Sequence, residues 1–124
     1  MQLSKQAIDP ELEDAIEVRL YQALLQMRSH EEMNEFLQDL LTEAELVAFS
    51  KRLAIAQGLL EKQSYESIRD TLKVSSATIA SVQERLKANG VGIKRALDRL
   101  NQIEDGEGAE NTVGLMGKVR KFWK

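Results

Sequence analysis

The chain has almost none of the residues on which redox and soft-metal chemistry depend. Its 124 residues include no cysteine, which excludes disulfides and thiolate metal ligands, and a single histidine, His30, which excludes a multi-histidine site. No apolar run approaches the roughly 20 residues that span a bilayer. The first ten residues also lack the apolar centre of a signal peptide. These absences predict a cytoplasmic protein without a bound metal and without a membrane partner.

The chain also lacks a constellation of nucleophile, base and oxyanion donor. No serine or cysteine is placed for His30 to activate. The neighbouring acids Glu31 and Glu32, like Glu43 and Glu45, stand where helices are predicted to start, and the positive end of the helix dipole explains them. We therefore predict that the protein is not an enzyme and needs no cofactor.

Charge is spread unevenly along the chain. The formal net charge of −3 argues weakly against a nucleic-acid partner. However, residues 1–41 hold 9 acids and 3 bases, whereas residues 42–104 hold 8 acids and 10 bases. The last segment, 105–124, holds 3 acids and 4 bases. The bases thus gather in residues 42–104. The acids gather in residues 1–41, which would be kept away from the phosphates of any nucleic-acid partner.

Helix signals recur along the chain, and no segment shows sustained alternation with a period of two. Capping residues followed by apolar stripes predict six helices. They cover 10 to about 28 after the cap Asp9, 30–41 after Ser29, 43–60 after Thr42, 65–72 after Ser64, from Ser75 or Ser76 to about 88, and about 93–103. Asn89-Gly90-Val91-Gly92 is expected to end the fifth helix, since glycine relieves the left-handed conformation at a helix end. The predicted class is all-α.

Two regions follow from this pattern. Residues 1–103 form the predicted helical domain. Residues 104–124 form a predicted flexible, glycine-containing linker and a basic C-terminal tail with the sequence KVRKFWK. The tail is interpreted either as a solvated end or as an arm that touches phosphate or a partner.

The stretch 64–88 has the pattern of a helix-turn-helix, whose second helix enters the DNA major groove. Apolar residues at the required places would lock the two helices together: Ile68, Leu72, Val74, Ile79 and Val82. The opposite face of the second helix carries small and hydroxyl side chains, which allow close approach to base edges. Two positions depart from the usual pattern. Lys73 stands where glycine usually takes a positive φ, at a cost of roughly 1 kcal/mol, and Arg69 replaces a small residue. A plain antiparallel helix pair in a bundle is the structural alternative.

Residues 41–87 resemble the Trp repressor superfamily. The resemblance is carried by Leu41-Thr42, Arg52, Leu59-Leu60, Ser64, Leu72 and Ala77-Thr78-Ile79. The chain is similar more specifically to the Trp-repressor-like YerC/YecD family, through SSATIASV at 75–82 and ALDRL at 96–100. This resemblance implies a six-helix fold, an intertwined homodimer and binding to operator DNA.

The resemblance also implies a ligand pocket at Thr42, Arg52 and Ser81, where the Trp repressor holds tryptophan with a threonine and two arginines. Ser81 replaces one arginine, and serine lacks the planar charged fork that arginine offers a carboxylate. Losing that contact would cost on the order of 2–3 kcal/mol, or about a hundredfold in affinity. We therefore predict that tryptophan is not a co-repressor and leave open another small ligand.

The motif and the resemblance together predict a sequence-specific DNA-binding transcriptional regulator, a repressor, that acts as a homodimer on double-stranded DNA. Residues 1–103 would be its DNA-binding and dimerisation domain. The predicted base-reading residues are Ser75, Ser76, Ala77, Thr78 and Ala80. The predicted phosphate contacts are Ser64, Lys73, Ser81, Arg85 and Lys87. The alternative is a helical protein-interaction module that keeps the fold and has lost DNA readout, which the low net charge, Lys73 and Ser81 would favour.

Overall fold

A computed structural model of the protein describes residues 6–105 and Trp123. Six α-helices account for most of this part, which contains no strand: α1 (Pro10–Leu25), α2 (His30–Leu40), α3 (Glu43–Leu60), α4 (Tyr65–Leu72), α5 (Ser76–Asn89) and α6 (Val91–Asp105). The prediction of an all-α fold with six helices is therefore confirmed.

The predicted caps form in the structure, and they explain where the helices begin. The Glu32 N–H donates to Ser29 Oγ at 3.1 Å, while the Arg28 N–H donates to Glu32 Oε1 at 2.8 Å. Asp9 caps α1 by accepting from the Glu11 N–H at 3.0 Å, with Pro10 as the first helical residue. Each cap satisfies a backbone donor that has no partner inside its helix.

α1 ends three residues before the predicted end at Arg28. The N–H groups of Gln26 and Met27 bond back to Ala23 and Leu24 at 3.1 and 3.2 Å, which is the tighter spacing of a helix's last turn. Ser29 is extended, with φ −153° and ψ 165°, so that it can cap α2. The chain therefore leaves α1 early because the cap of α2 needs non-helical backbone.

Two lysines, rather than glycines, take the left-handed conformation at helix ends. Lys62 (φ 65°) follows α3, where the Gln63 N–H bonds to Gly58 O at 2.9 Å and the Lys62 N–H bonds to Leu59 O at 3.1 Å. This pair of bonds is the Schellman arrangement. Lys73 (φ 56°, ψ 52°) ends α4. The positive φ predicted at Lys73 is therefore confirmed.

The prediction of a left-handed glycine after α5 is wrong. Gly90 has φ −102° and ψ 16°, and α6 begins at once with Val91, two residues before the predicted start. Gly90 is buried, and a Cβ there would lie 3.1 Å from the carbonyl oxygen of Leu86. Leu86 Cδ2 and Lys94 Cε would lie 3.2 and 3.3 Å from the same Cβ, so the tight connection between α5 and α6, rather than a positive φ, favours a glycine here.

By its contacts the chain divides into two compact units, Met1–Leu46 and Val47–Lys124. The second unit contains the buried core. Its members are Ile55 and Ala56 of α3, Ile68 of α4, Ile79, Val82 and Leu86 of α5, and Trp123, with Leu59, Leu72, Val74 and Ile93 packed against them. The predicted boundary at 103/104 stays a prediction, and the predicted linker lies almost entirely outside the described residues. Trp123 belongs to the segment that the sequence predicts to be a tail, yet its side chain is buried in this core.

The first unit exposes much of its apolar surface. α1 has no buried residue, and Leu12, Ile16 and Leu25 are 53%, 55% and 81% exposed. In α2 the apolar side chains Met33, Phe36 and Leu37 are at best half-buried, and Leu40 is exposed. In α3 only Ile55, Ala56 and Gly58 are buried, whereas Phe49, Leu53 and Leu60 are exposed. A single copy of the chain therefore leaves unburied many side chains that the sequence pattern assigns to a core.

Candidate nucleic-acid interface

The region predicted as a helix-turn-helix consists of α4, three connecting residues and α5. Lys73 reverses the chain, its N–H bonding to Arg69 O at 2.8 Å, and Ser75 then caps α5. Ile68 and Ile79 are fully buried, and Val82 is 3% exposed. These residues clamp the inner faces of α4 and α5 into one core, as the sequence predicted.

All five predicted base-reading residues are exposed and lie at the N-terminal end of α5. Ser75 is the cap, and Ser76, Ala77, Thr78 and Ala80 occupy the first turns of the helix. Their side chains are small, so the backbone of α5 can approach a partner surface closely. The buried residues at 79, 82 and 86 lie on the other side of the helix.

Ser75 has a structural task that limits its role in reading bases. Its Oγ accepts the Thr78 N–H at 3.1 Å and lies 2.9 Å from Thr78 Oγ1, where either hydroxyl can donate. These bonds tie the cap to the first turn and hold the Thr78 hydroxyl at the N-terminal end of the helix. Thr78 is therefore the oriented hydroxyl of this surface.

The predicted phosphate contacts flank this face, and all of them are exposed: Ser64, Lys73, Ser81, Arg85 and Lys87. Ser64 Oγ is engaged as the cap of α4, where it accepts the Ser67 N–H at 3.0 Å. Lys73 stands in the turn, and Ser81 and Arg85 lie four residues apart and thus on one side of α5. Phosphate binding by these five exposed residues stays a prediction.

Two further charged residues, Arg69 and Glu84, are exposed in this region. Arg69 Nη1 approaches Ser76 Oγ at 3.5 Å, and Arg69 Nε lies 3.8 Å from Asp70 Oδ1, so Arg69 connects α4 with the start of α5. Glu84 is exposed four residues after Ala80, on the outer face of α5. An acid there opposes phosphates or accepts a hydrogen bond from cytosine N4. The four-residue spacing between Ala80 and Glu84 is the sequence signal that could have identified Glu84 as a site residue.

Two of the three predicted ligand residues, Thr42 and Arg52, have local partners. Thr42 and Glu45 form a reciprocal capping box, in which the Thr42 N–H donates to Glu45 Oε1 at 2.9 Å and the Glu45 N–H donates to Thr42 Oγ1 at 3.1 Å. The backbone hydrogen bond from Thr42, helped by its side chain, lowers the pKa of Glu45 below the ordinary value of 4.5. The Arg52 guanidinium lies 5.6 Å from the centre of the Phe49 ring.

Thr42 belongs to the first compact unit, whereas Arg52 and Ser81 belong to the second. The pocket that the resemblance implies at these three residues therefore stays a prediction. Among residues 6–105 and Trp123, no group of three or more acidic or histidine side chains is placed to hold a metal ion. Within that same part of the chain, no helix combines the length and apolar character needed to cross a membrane.

Comparison with known proteins gives three findings. The family model described as "Trp repressor protein" matches residues 18–101, which include all of α2–α5. YerC of Bacillus subtilis (strain 168), which its description calls uncharacterized, is 31% identical over 86 residues, covering 69% of this chain and 83% of YerC. The crystal structure of a TrpR-like protein from Eubacterium eligens superimposes with a TM-score of 0.70 at 29% identity, covering 75% of this chain and 96% of that one.

Proposed function

The chain belongs to the Trp repressor family, and from that premise we propose that it is a sequence-specific DNA-binding transcriptional regulator, a repressor that acts as a homodimer. The observation that carries the proposal is the two-sided character of α5. Ile79, Val82 and Leu86 are buried on one side, whereas the other side exposes small and hydroxyl residues beginning with the capped N-terminus. A helix that enters a major groove needs this combination.

Phosphate contacts would supply most of the affinity, and base contacts would supply the specificity. Lys73, Arg85 and Lys87 are exposed cations beside the small-residue face of α5. With about four to six phosphates neutralised per dimer, the slope of log K against log salt should be roughly −4 to −5. Binding to duplex DNA that does not respond to salt would contradict this assignment.

The exposed apolar surface of α1 supports the homodimer. Ile16 is 55% exposed and Val18 49% exposed, and Tyr21 is 53% exposed on the same helix. Clusters of large exposed apolar side chains mark association surfaces in proteins that function in water. A twofold axis would then set two copies of α5 roughly 34 Å apart, on successive turns of one face of the DNA. Sedimentation should give twice the chain mass of 14.0 kDa.

The proposal includes independence from tryptophan. Ser81 is exposed and offers a hydroxyl where the family's tryptophan site has a second arginine. Tryptophan should therefore leave the melting temperature unchanged in a thermal-shift assay. An increase of several degrees at millimolar tryptophan would refute this part of the proposal.

The test of the proposed function is selection of bound fragments from a random duplex pool. We expect a motif with two related half-sites about one helical turn apart. A folded dimer that retains no fragment at low salt would contradict DNA binding and support the protein-interaction module instead.

A matched pair of variants then locates the reading surface. Thr78→Ala removes the oriented hydroxyl of α5, and Thr71→Ala removes an exposed hydroxyl of α4 that lies outside the small-residue face. Thr78→Ala should change the preference at defined positions of the selected motif by about 1 kcal/mol or more per contact, and Thr71→Ala should not. Equal effects of the two variants would argue against α5 as the reading element.

A further inference from the structure

The backbone conformation of Gly58 does not require a glycine. It lies in the last turn of α3 and is buried, and no glycine in the described part of the chain has a positive φ. Alanine normally stabilises a helical position relative to glycine, because glycine has more backbone freedom to lose on folding. A packing requirement must therefore explain this glycine.

The indole ring of Trp123 supplies that requirement. A Cβ built on Gly58 would lie 2.7 Å from Cζ2, 2.9 Å from Cη2 and 3.1 Å from Cε2 of Trp123. These are the three nearest atoms, so no other residue comes closer than 3.1 Å. The indole thus occupies the space that a side chain at position 58 would need.

Trp123 is also part of the core behind the candidate interface. It is only 9% exposed and belongs to one buried cluster with Ile68 of α4 and Ile79 and Val82 of α5. These are the residues that clamp α4 against α5. The packing of the ring therefore contributes to the same cluster that holds the helix-turn-helix.

The recess beside Gly58 differs from the ligand pocket implied by the family resemblance. Gly58 lies six residues beyond Arg52 on α3, which is about 9 Å along the helix and on a different side of it. Trp123 also lies beyond residue 101, where the match to the family model ends. The contact between Gly58 and Trp123 therefore joins a residue inside the matched range 18–101 to a residue outside it.

We infer that the recess at Gly58 is a binding site for an indole ring, which the chain fills with its own Trp123 and thereby fastens its C-terminal end to the core of the helix-turn-helix. A recess shaped around an indole and lined by apolar residues accepts the free ring when the attached one is removed, as emptied apolar cavities accept aromatic molecules of matching size. The inference does not depend on DNA binding.

The first experiment uses the full chain and its only tryptophan as a probe. Because Trp123 is the single tryptophan, its fluorescence reports on this ring alone. We expect emission at shorter wavelength than free tryptophan and weak quenching by acrylamide. Gly58→Ala should shift the emission to longer wavelength, increase the quenching and lower the melting temperature. Gly92→Ala is the matched control, because a Cβ at Gly92 in α6 meets no atom within 4 Å.

The second experiment tests whether the effect of Gly58→Ala on the melting temperature changes sign when Trp123 is absent. Trp123→Ala should lower the melting temperature by on the order of 10 °C, as expected for a large core side chain. In that background Gly58→Ala should be neutral or stabilising, since the ring it collided with is gone. Millimolar indole should raise the melting temperature of Trp123→Ala by several degrees, and it should affect neither the unsubstituted chain nor the double variant.

Several results would overturn the inference. Trp123 fluorescence that matches free tryptophan in the folded chain would show that the ring is not buried. Equal effects of Gly58→Ala with and without Trp123 would show that the ring does not fill the recess. Failure of indole to stabilise a folded Trp123→Ala variant would show that no indole site exists. If Trp123→Ala does not fold, the comparison of Gly58→Ala with Gly92→Ala decides the question. None of these measurements requires DNA, so they separate this inference from the proposed function.

Discussion

Lys73 combines a strained backbone with a charge in the candidate interface, and substitution separates the two. Its φ of 56° and ψ of 52° lie in the left-handed region, where a Cβ costs about 1–2 kcal/mol. Lys73→Gly removes that cost, but the greater freedom of glycine in the unfolded chain takes back about 0.5–1 kcal/mol. The net expectation is a gain of about 0.5–1 kcal/mol in the free energy of unfolding, or roughly 2–5 °C in melting temperature.

The same substitution should weaken binding to DNA. Lys73 is exposed in the turn between α4 and α5. Removing one phosphate contact from each subunit of a dimer should make the salt slope less steep by about 1.8. Affinity for specific and random duplexes should fall by a similar factor, because phosphate contacts carry no sequence information.

Two further variants complete the design. Lys73→Ala keeps the Cβ and loses the charge, so it should weaken DNA binding as much as Lys73→Gly without the gain in stability. Lys62→Gly relieves a second left-handed lysine, with φ 65°, and should stabilise the chain without changing DNA binding. Denaturant unfolding at fixed protein concentration measures the free energy of unfolding. Salt-dependent fluorescence anisotropy measures the affinity for DNA and its salt slope. The reasoning is refuted if Lys73→Gly destabilises the chain, or if it leaves the salt slope unchanged in a protein that binds DNA.

Three other predictions follow from the local geometry. Because the folded-state pKa of Glu45 is lowered, its charge stabilises the fold above the ordinary value of 4.5, and that contribution is lost as the pH falls through the folded-state pKa. Urea unfolding should therefore show Glu45→Gln less stable than the unsubstituted chain at pH 7, and the difference should shrink as the pH falls below 4.5; a difference that does not depend on pH would be contrary to this assignment. Ser81→Arg adds an exposed cation beside the reading face, so DNA affinity should rise and the salt slope should steepen by about 1.8 per dimer, and an unchanged slope in salt-dependent anisotropy would exclude a phosphate at this position. Glu84→Gln removes an acid from the outer face of α5 and should strengthen binding to random duplex DNA in the same assay, whereas loss of preference at one base pair would instead identify Glu84 as a base contact.

Helix starts were predictable because capping is a local property. Each of Asp9, Ser29, Ser64 and Ser75 accepts an N–H from within three residues of itself. The interlocking residues of α4 and α5 were equally predictable, since a helical period and one turn determine which side chains meet. The early end of α1 was missed because two adjacent helices compete for the same backbone there.

The sequence predicted which residues of the candidate site are exposed, but it did not predict the hydrogen bonds between their side chains. The sequence placed Thr78 on the outer face of α5, whereas its hydrogen bond to the Ser75 hydroxyl depends on rotamers that only the coordinates give. The link from Arg69 to Ser76 also depends on the angle between two helices. DNA binding and the dimer remain proposals for measurement.

The amino-acid sequence by itself determined the helical class, the helix caps and the two-sided pattern of α5, because all of these depend on residues within a few positions of one another. Only the tertiary structure decided that Phe49 and Leu53 remain exposed in a single chain and that Trp123 lies against Gly58. These outcomes depend on contacts between residues distant in the chain. No local periodicity encodes such contacts, since they form only when the helices have found their relative positions.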